Sequence, residues 1–364
     1  MAMLTIPSSP DEVTAEWLTQ ALRSTGSIVR ARVGSFSRED LGMGRGFVGQ
    51  VSRFRLAYEV DEDGAPASLV GKFSSPNPDL RAAMFGANET ELRFYHEIAP
   101  HVDLTTPRLF YGAANPETSQ SVLLLEDISS EWGGDDVAGC SPGQERIAMR
   151  HLARFHAAWW DSPRVDQFTW LPSINHNGSL LQEGYQQAWR IFVGKFGDYL
   201  PSSLREVAAR FVDNVAHIKD QLAHRPTTIL HGDYRLDNLF FGPPDSVPPL
   251  IVIDWQGAHK GTGVSDIAYF QAFCLEPEHR RAVEMDLIKD YHESLVDNGV
   301  IGYDFDQCLQ DYRLSMFEPL GVLVMAGAYL DFASERGRAL AAVGIQRLSA
   351  AMADHRMGEL LADY

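Results

Sequence analysis

Five polar side chains crowd into one otherwise apolar stretch: His231, Asp233, Arg235, Asp237 and Asn238, in ILHGDYRLDNLFF, residues 229–241. Such groups are costly to bury without partners, so the stretch is either a solvated turn or a site. After a second turn, GPPDSVPP, the apolar run LIVIDW carries another acid, Asp254. Carboxylate and amide oxygens are the hard donors that Mg²⁺ prefers. A carboxylate beside an acceptor hydroxyl can orient it and take its proton late. Together these are the parts of phosphoryl transfer, which asks for positioning and charge neutralisation more than for covalent help.

The spacing sharpens this. His-x-Asp-x₄-Asn is the pattern of the protein-kinase catalytic loop, where the Asp accepts the substrate hydroxyl proton and the Asn helps to hold Mg²⁺. An Asp after the next strand holds Mg²⁺ between the phosphates. Asp233, Asn238 and Asp254 occupy those three places. Upstream, Lys72 lies in SLVGKF, one strand after a glycine-rich turn, where a lysine can pair with the α- and β-phosphates. Gly42, Gly44, Gly46 and Gly49 of that turn do not spell G-x-G-x-x-G, yet such a turn can set backbone N–H groups over phosphates. Met84, Ala87, Glu91, Tyr95 and Ile98 fall on one helical face. An acid in an apolar stripe needs a buried partner, and Lys72 is the expected one for Glu91. Glu89 and Glu97 fall off the stripe and read as solvated.

The elements that must position these residues follow from periodicity. TAEWLTQAL predicts a helix with Thr14 as its N-cap. Val51, Phe54, Leu56 and Tyr58 predict a strand, DEDGAP a hairpin turn, and SLVGKF (68–73) the return strand. A helix is expected over 80–98, stopped by Pro100, and a strand over 121–128. A long amphipathic helix is expected over 143–160, with helical patterns dominant afterwards apart from the loop and PPLIVIDW, residues 248–255. At 364 residues two lobes are expected. The order predicts an α+β fold, with a β-rich nucleotide-binding N-lobe over 1–128, a hinge near 126–132, and a mainly helical C-lobe over 129–364 carrying the loop and the acceptor site.

The net charge is −18, from 49 acidic against 31 basic residues, which argues against nucleic acid and anionic membrane as partners. Cys140, Cys274 and Cys308 show neither a disulfide framework nor metal-ligand spacing, as in a reducing compartment. No signal peptide or membrane span is legible, so a cytoplasmic protein is expected.

HGDYRLDN, VIDWQ, LLLEDI and LARFHAAWW together resemble the aminoglycoside phosphotransferase/choline kinase superfamily. IDWQG and ELRFY look closest to its ecdysteroid-kinase-like branch, and the likeness runs from about Trp17 to Phe270. The resemblance implies a bilobal protein-kinase-like fold and transfer of the γ-phosphate of ATP (or GTP) to a small-molecule hydroxyl. It implies Asp233 as catalytic base, Asn238 and Asp254 as Mg²⁺ ligands, Lys72 as the phosphate lysine and Glu91 as its partner. Glu126, Asp127 and Ile128 would form the hinge whose backbone meets adenine. His231 would brace the loop, and Asp266 in GTGVSDIAYF would be a structural acid below it. Arg235 and Asp237 either brace the loop or reach substrate. His156 reads as a core histidine, and Trp159 and Trp160 as packing. The acceptor, expected against 130–200 and 270–364, is left open between amino sugar, aminoglycoside, choline-like amine and neutral alcohol. A nucleotide-binding module without turnover and an AMP transferase are the alternatives.

Overall fold

The computed structural model describes residues 4–41, 49–243 and 246–361. It divides into two compact units. The first comprises Met1–His101, Thr105–Trp132 and Val252–Gln256; the second comprises Val102–Leu104, Gly133–Ile251 and Gly257–Tyr364.

The first unit opens with helix α1 (Ala15–Ser24), capped as its sequence predicts: the Thr14 hydroxyl accepts the Trp17 N–H at 3.1 Å. Leu18, Ala21 and Leu22, one helical face, are buried against a five-stranded sheet. Its strands are β1 (Val33–Asp40), β2 (Gln50–Tyr58), β3 (Ser68–Phe73), β4 (Leu109–Asn115) and β5 (Gln120–Glu126), in the order β1-β2-β3-β5-β4 with every pairing antiparallel. Alternation along β3 buries Leu69, Gly71 and Phe73 on the α1 side and turns Val70 and Lys72 to the other face.

That other face meets helix α2 (Pro78–Arg93), whose first turn is capped by Asn77 Oδ1 accepting from Asp79 and Leu80. The helix expected over 80–98 therefore starts earlier and changes character. Beyond Arg93 the backbone makes one π turn, Phe94–Ile98, and then a 3₁₀ turn, Ala99–His101, that contains Pro100. The wider π turn buries Phe94, Tyr95 and Ile98. Within this sheet β1 and β4 were not expected from the sequence, and both are its edges.

The second unit is helical: α3 (Gln144–Trp159), α4 (Gly178–Phe196), α5 (Ser202–Ala223), α6 (Val264–Cys274), α7 (Pro277–Asp297), α8 (Phe305–Ser315), α9 (Phe317–Tyr329), α10 (Glu335–Asp354) and α11 (Met357–Leu360). Helix α3 lies where its amphipathic pattern puts it, burying Ala148, Met149, Leu152, Phe155 and Trp159. Between α5 and α6 the chain makes four short strands: β6 (Thr228–Leu230) pairs with β9 (His259–Gly261), and β7 (Leu239–Phe241) with β8 (Leu250–Val252). Only the centre of PPLIVIDW is thus a strand; Trp255–Gly257 is a 3₁₀ turn. The α+β reading, a β-rich N-terminal region and a helical C-terminal region, is correct. No helix among the described residues is long and apolar enough to cross a membrane.

Candidate active site

In the first unit three charged side chains meet. Lys72 leaves β3 on the face turned to α2, and its Nζ donates to both Glu91 oxygens at 2.7 Å and to Asp254 Oδ1 at 3.0 Å. The Glu91 side chain is 1% exposed and that of Lys72 20%. A carboxylate buried to that degree depends on its cation. Burial works against charge on Lys72, but the carboxylates of Asp254 and Glu91 outweigh it and hold the ammonium above lysine's ordinary value.

Asp254 reaches this pair because the segment after β8 is fastened to α2 and the turn beyond it. Trp255 is fully buried and stacks on Phe94, with ring centroids 3.7 Å apart and planes within 7°. Gln256 Nε2 donates to Asn88 Oδ1 at 2.9 Å. Asp254 itself has φ 65°, in the left-handed region that Asp tolerates better than most residues and that clusters at functional sites. The two motifs IDWQG and ELRFY are thus two halves of one contact.

In the second unit the loop between β6 and β7 is held from below. His231 is fully buried; its backbone N–H donates to Asp266 Oδ2 at 2.7 Å, and that of Gly232 to Asp266 Oδ1 at 2.9 Å. Gly232 has φ +78°, and a Cβ there would meet the Gly257 carbonyl oxygen at 2.1 Å, so only glycine fits. His231 Nδ1 accepts the Asp233 N–H at 3.2 Å, and Tyr234 donates to the Ala148 carbonyl of α3 at 2.9 Å. His231 therefore braces the loop. Asp266 is buried too. Burial alone would push its carboxyl up, but His156 and His231 hold it below the ordinary carboxylate range. His156 is a core residue. Its Nδ1 lies 2.9 Å from the Tyr291 hydroxyl, and its Nε2 lies 3.4 Å from Asp266 Oδ2.

Above that brace, Asp233 is surrounded by donors. Arg235 Nε lies 3.1 Å from each carboxylate oxygen, the Tyr269 hydroxyl donates to Oδ1 at 2.6 Å, and Asn238 Nδ2 donates to Oδ2 and to the Asp233 carbonyl at 2.9 Å each. With both hydrogens of Nδ2 directed at Asp233, the amide oxygen of Asn238 is left as the acceptor that a hard cation needs. Arg235 also pairs with Asp136 and, at 3.2 Å, with Asp237. Asp237 is held in turn by Arg336 of α10 at 2.6 Å, which also reaches Asp135 at 3.1 Å. Arg235 and Asp237 therefore brace.

Tyr269, Asp136 and Arg336 escaped the reading of the sequence. Tyr269 carried a signal, since it stands three residues after Asp266 on one helix. Glu126 lies at the end of β5, where its carboxylate accepts the Arg108 N–H at 3.1 Å, and Asp127 is paired with Arg53 at 2.8 Å. Ile128 follows in irregular chain. Gly42, Gly44 and Gly46 lie outside the described residues.

The family model described as ecdysteroid kinase-like matches residues 43–300. The chain belongs to that family. Among solved structures, this ecdysteroid kinase-like protein resembles the GDP and kanamycin complex of APH(2")-IIia, with a TM-score of 0.54 and 17% identity, covering 93% of this chain and 98% of that one. It resembles a Plasmodium vivax ethanolamine kinase with a TM-score of 0.54 and 9% identity, covering 92% and 86%. Both likenesses are of fold. A stretch of 88 residues is 32% identical to acyl-CoA dehydrogenase family member 10 of Mus musculus, spanning 21% of this chain and 8% of that relative's length. Family and fold agree with the resemblance to the aminoglycoside phosphotransferase/choline kinase superfamily.

Proposed function

We propose that this protein is a small-molecule kinase that moves the γ-phosphate of ATP, or of GTP, to a hydroxyl of its acceptor. The observation that carries the reading is the Lys72 ammonium held by Glu91 and Asp254, since a lysine so placed is a ready partner for phosphate oxygens. Asn238 and Asp254 are the residues that would hold Mg²⁺. Their amide and carboxylate oxygens suit it, and Mg²⁺ takes few protein ligands beside substrate phosphates. The ion supplies charge neutralisation at the phosphates when bound. Lys72 binds and orients the α- and β-phosphates, Glu91 keeps Lys72 in place, and the Glu126–Ile128 backbone meets the base. Asp233 orients the acceptor hydroxyl and takes its proton. The site requires water-free, oriented reactants more than a strong base. An acidic surface fits an amine-bearing acceptor.

The test is a panel of choline, ethanolamine, kanamycin and an ecdysteroid, incubated with Mg²⁺ and ATP or GTP. Release of the nucleoside diphosphate with an acceptor heavier by one phosphate is expected. Transfer of the nucleoside monophosphate, or nucleotide binding with no transfer to any hydroxyl, would overturn the reading.

A further inference from the structure

The loop's carboxylate is gripped by the same helix that grips its backbone. On α6, Asp266 takes the N–H groups of His231 and Gly232, and Tyr269, three residues on and on the same face, donates to Asp233 Oδ1 at 2.6 Å. Tyr269 is 6% exposed, and its ring packs on Phe273 with centroids 5.0 Å apart. A buried phenol needs an acceptor, and this one is spent on the carboxylate rather than on a backbone carbonyl. Each oxygen of Asp233 then has two donors, and only Oδ1 is tied to α6. Oδ1 receives the short phenol bond, whereas Oδ2 receives an amide N–H at 2.9 Å from Asn238, whose Nδ2 also serves the Asp233 carbonyl. Arg235 Nε is shared evenly between them at 3.1 Å.

We propose that Tyr269 is a positioning residue: its buried hydroxyl anchors Oδ1 of Asp233 and so fixes the rotation at which the carboxylate meets the acceptor hydroxyl. The inference rests on the phosphotransferase reading above. In the step it serves, the acceptor O–H bond breaks with its proton passing to the Asp233 carboxylate. The acceptor oxygen forms the new bond to the γ-phosphorus, and the bond from that phosphorus to the diphosphate leaving group breaks. Tyr269 keeps its own proton throughout.

A double-mutant cycle tests this on the full chain. Tyr269→Phe, Asp233→Asn and the double variant are compared with the parent for kcat, nucleotide KM and Tm, using whichever panel alcohol the parent phosphorylates. In the parent background Tyr269→Phe should lower kcat roughly tenfold, the scale on which a hydrogen bond to a charged group counts, with nucleotide KM unchanged. In the Asp233→Asn background the same change should cost less than about twofold, because residues that act as a unit are not additive. Phe273→Leu is the control for packing: it should lower Tm while its effect on kcat is the same in both backgrounds. An equal factor for Tyr269→Phe in both backgrounds, or an undiminished kcat, overturns the proposal while leaving the phosphotransferase intact. A parent that transfers phosphate to no alcohol of the panel fails the wider reading instead.

Discussion

The two units solve opposite electrostatic problems in different ways. In the β-rich unit a cation is held by two anions, and each of the three comes from a different element: Lys72 from β3, Glu91 from α2, Asp254 from the segment after β8. In the helical unit an anion is held by donors, and the hold is layered: Asp266 under the backbone, Tyr269, Arg235 and Asn238 around the carboxylate, Arg336 behind Asp237. A shared triad with one residue per element fails at any member. A layered hold loses geometry by degrees and fails outright only where the group itself is removed.

Breaking the comparison where it is strongest means removing the proposed proton acceptor. Asp233→Asn keeps the side-chain size and removes the carboxylate and its charge. It should bind Mg·ATP nearly as the parent does and turn over at least about 100-fold more slowly, the scale of general-base loss. Titration of nucleotide and a single-turnover rate read the two effects apart.

Asp254→Asn should fail differently. It removes charge from the proposed metal shell, so metal-dependent nucleotide affinity should fall along with rate. Calorimetry with Mg²⁺ and with EDTA decides it, because equal ATP affinity under both conditions in the parent would remove Asp254 from the metal.

Glu91→Gln keeps volume and removes one of the two anions of the triad. Turnover should fall at least about tenfold, equivalent to about 1.4 kcal/mol in the barrier, although Glu91 touches no reacting atom. A rate within twofold of the parent would mean that Asp254 alone suffices to place Lys72.

The smallest effect concerns the brace. Asp266 lies below its ordinary range, so its contribution to stability is present above the unfolded carboxylate value of about 3.9 and is lost as pH falls through the lower folded value. The Tm of the parent should therefore drop more steeply on acidification below about pH 4 than that of Asp266→Asn, which has nothing left to titrate there. Parallel Tm curves would remove Asp266 from the acid response.

What could be read in the sequence follows the same division. Lys72 and Glu91 were legible because an acid on an apolar stripe is conspicuous and one partner stood on the preceding strand. The loop was legible because its polar groups are consecutive. The edge strand β1 was not: most of its residues are exposed, so VGSFSRED shows no clean alternation. The three-residue strands β6 and β9 are too short for any periodicity to register. Asp136 reaches Arg235 from 99 positions away, and no local pattern encodes such a meeting.

The layered hold also has a schedule. Arg336 follows Asp237 by 99 residues, and Arg347, which binds the carbonyls of Asp136, Val137 and Phe273, follows Asp136 by 211. At about 5–20 residues per second, a ribosome finishes the loop roughly 5–20 s before it delivers the arginine that secures Asp237. A nascent chain thus carries this polar loop unlatched until α10 emerges, and one stopped short of α10 would keep every residue of the His231–Asn238 motif without its rear support.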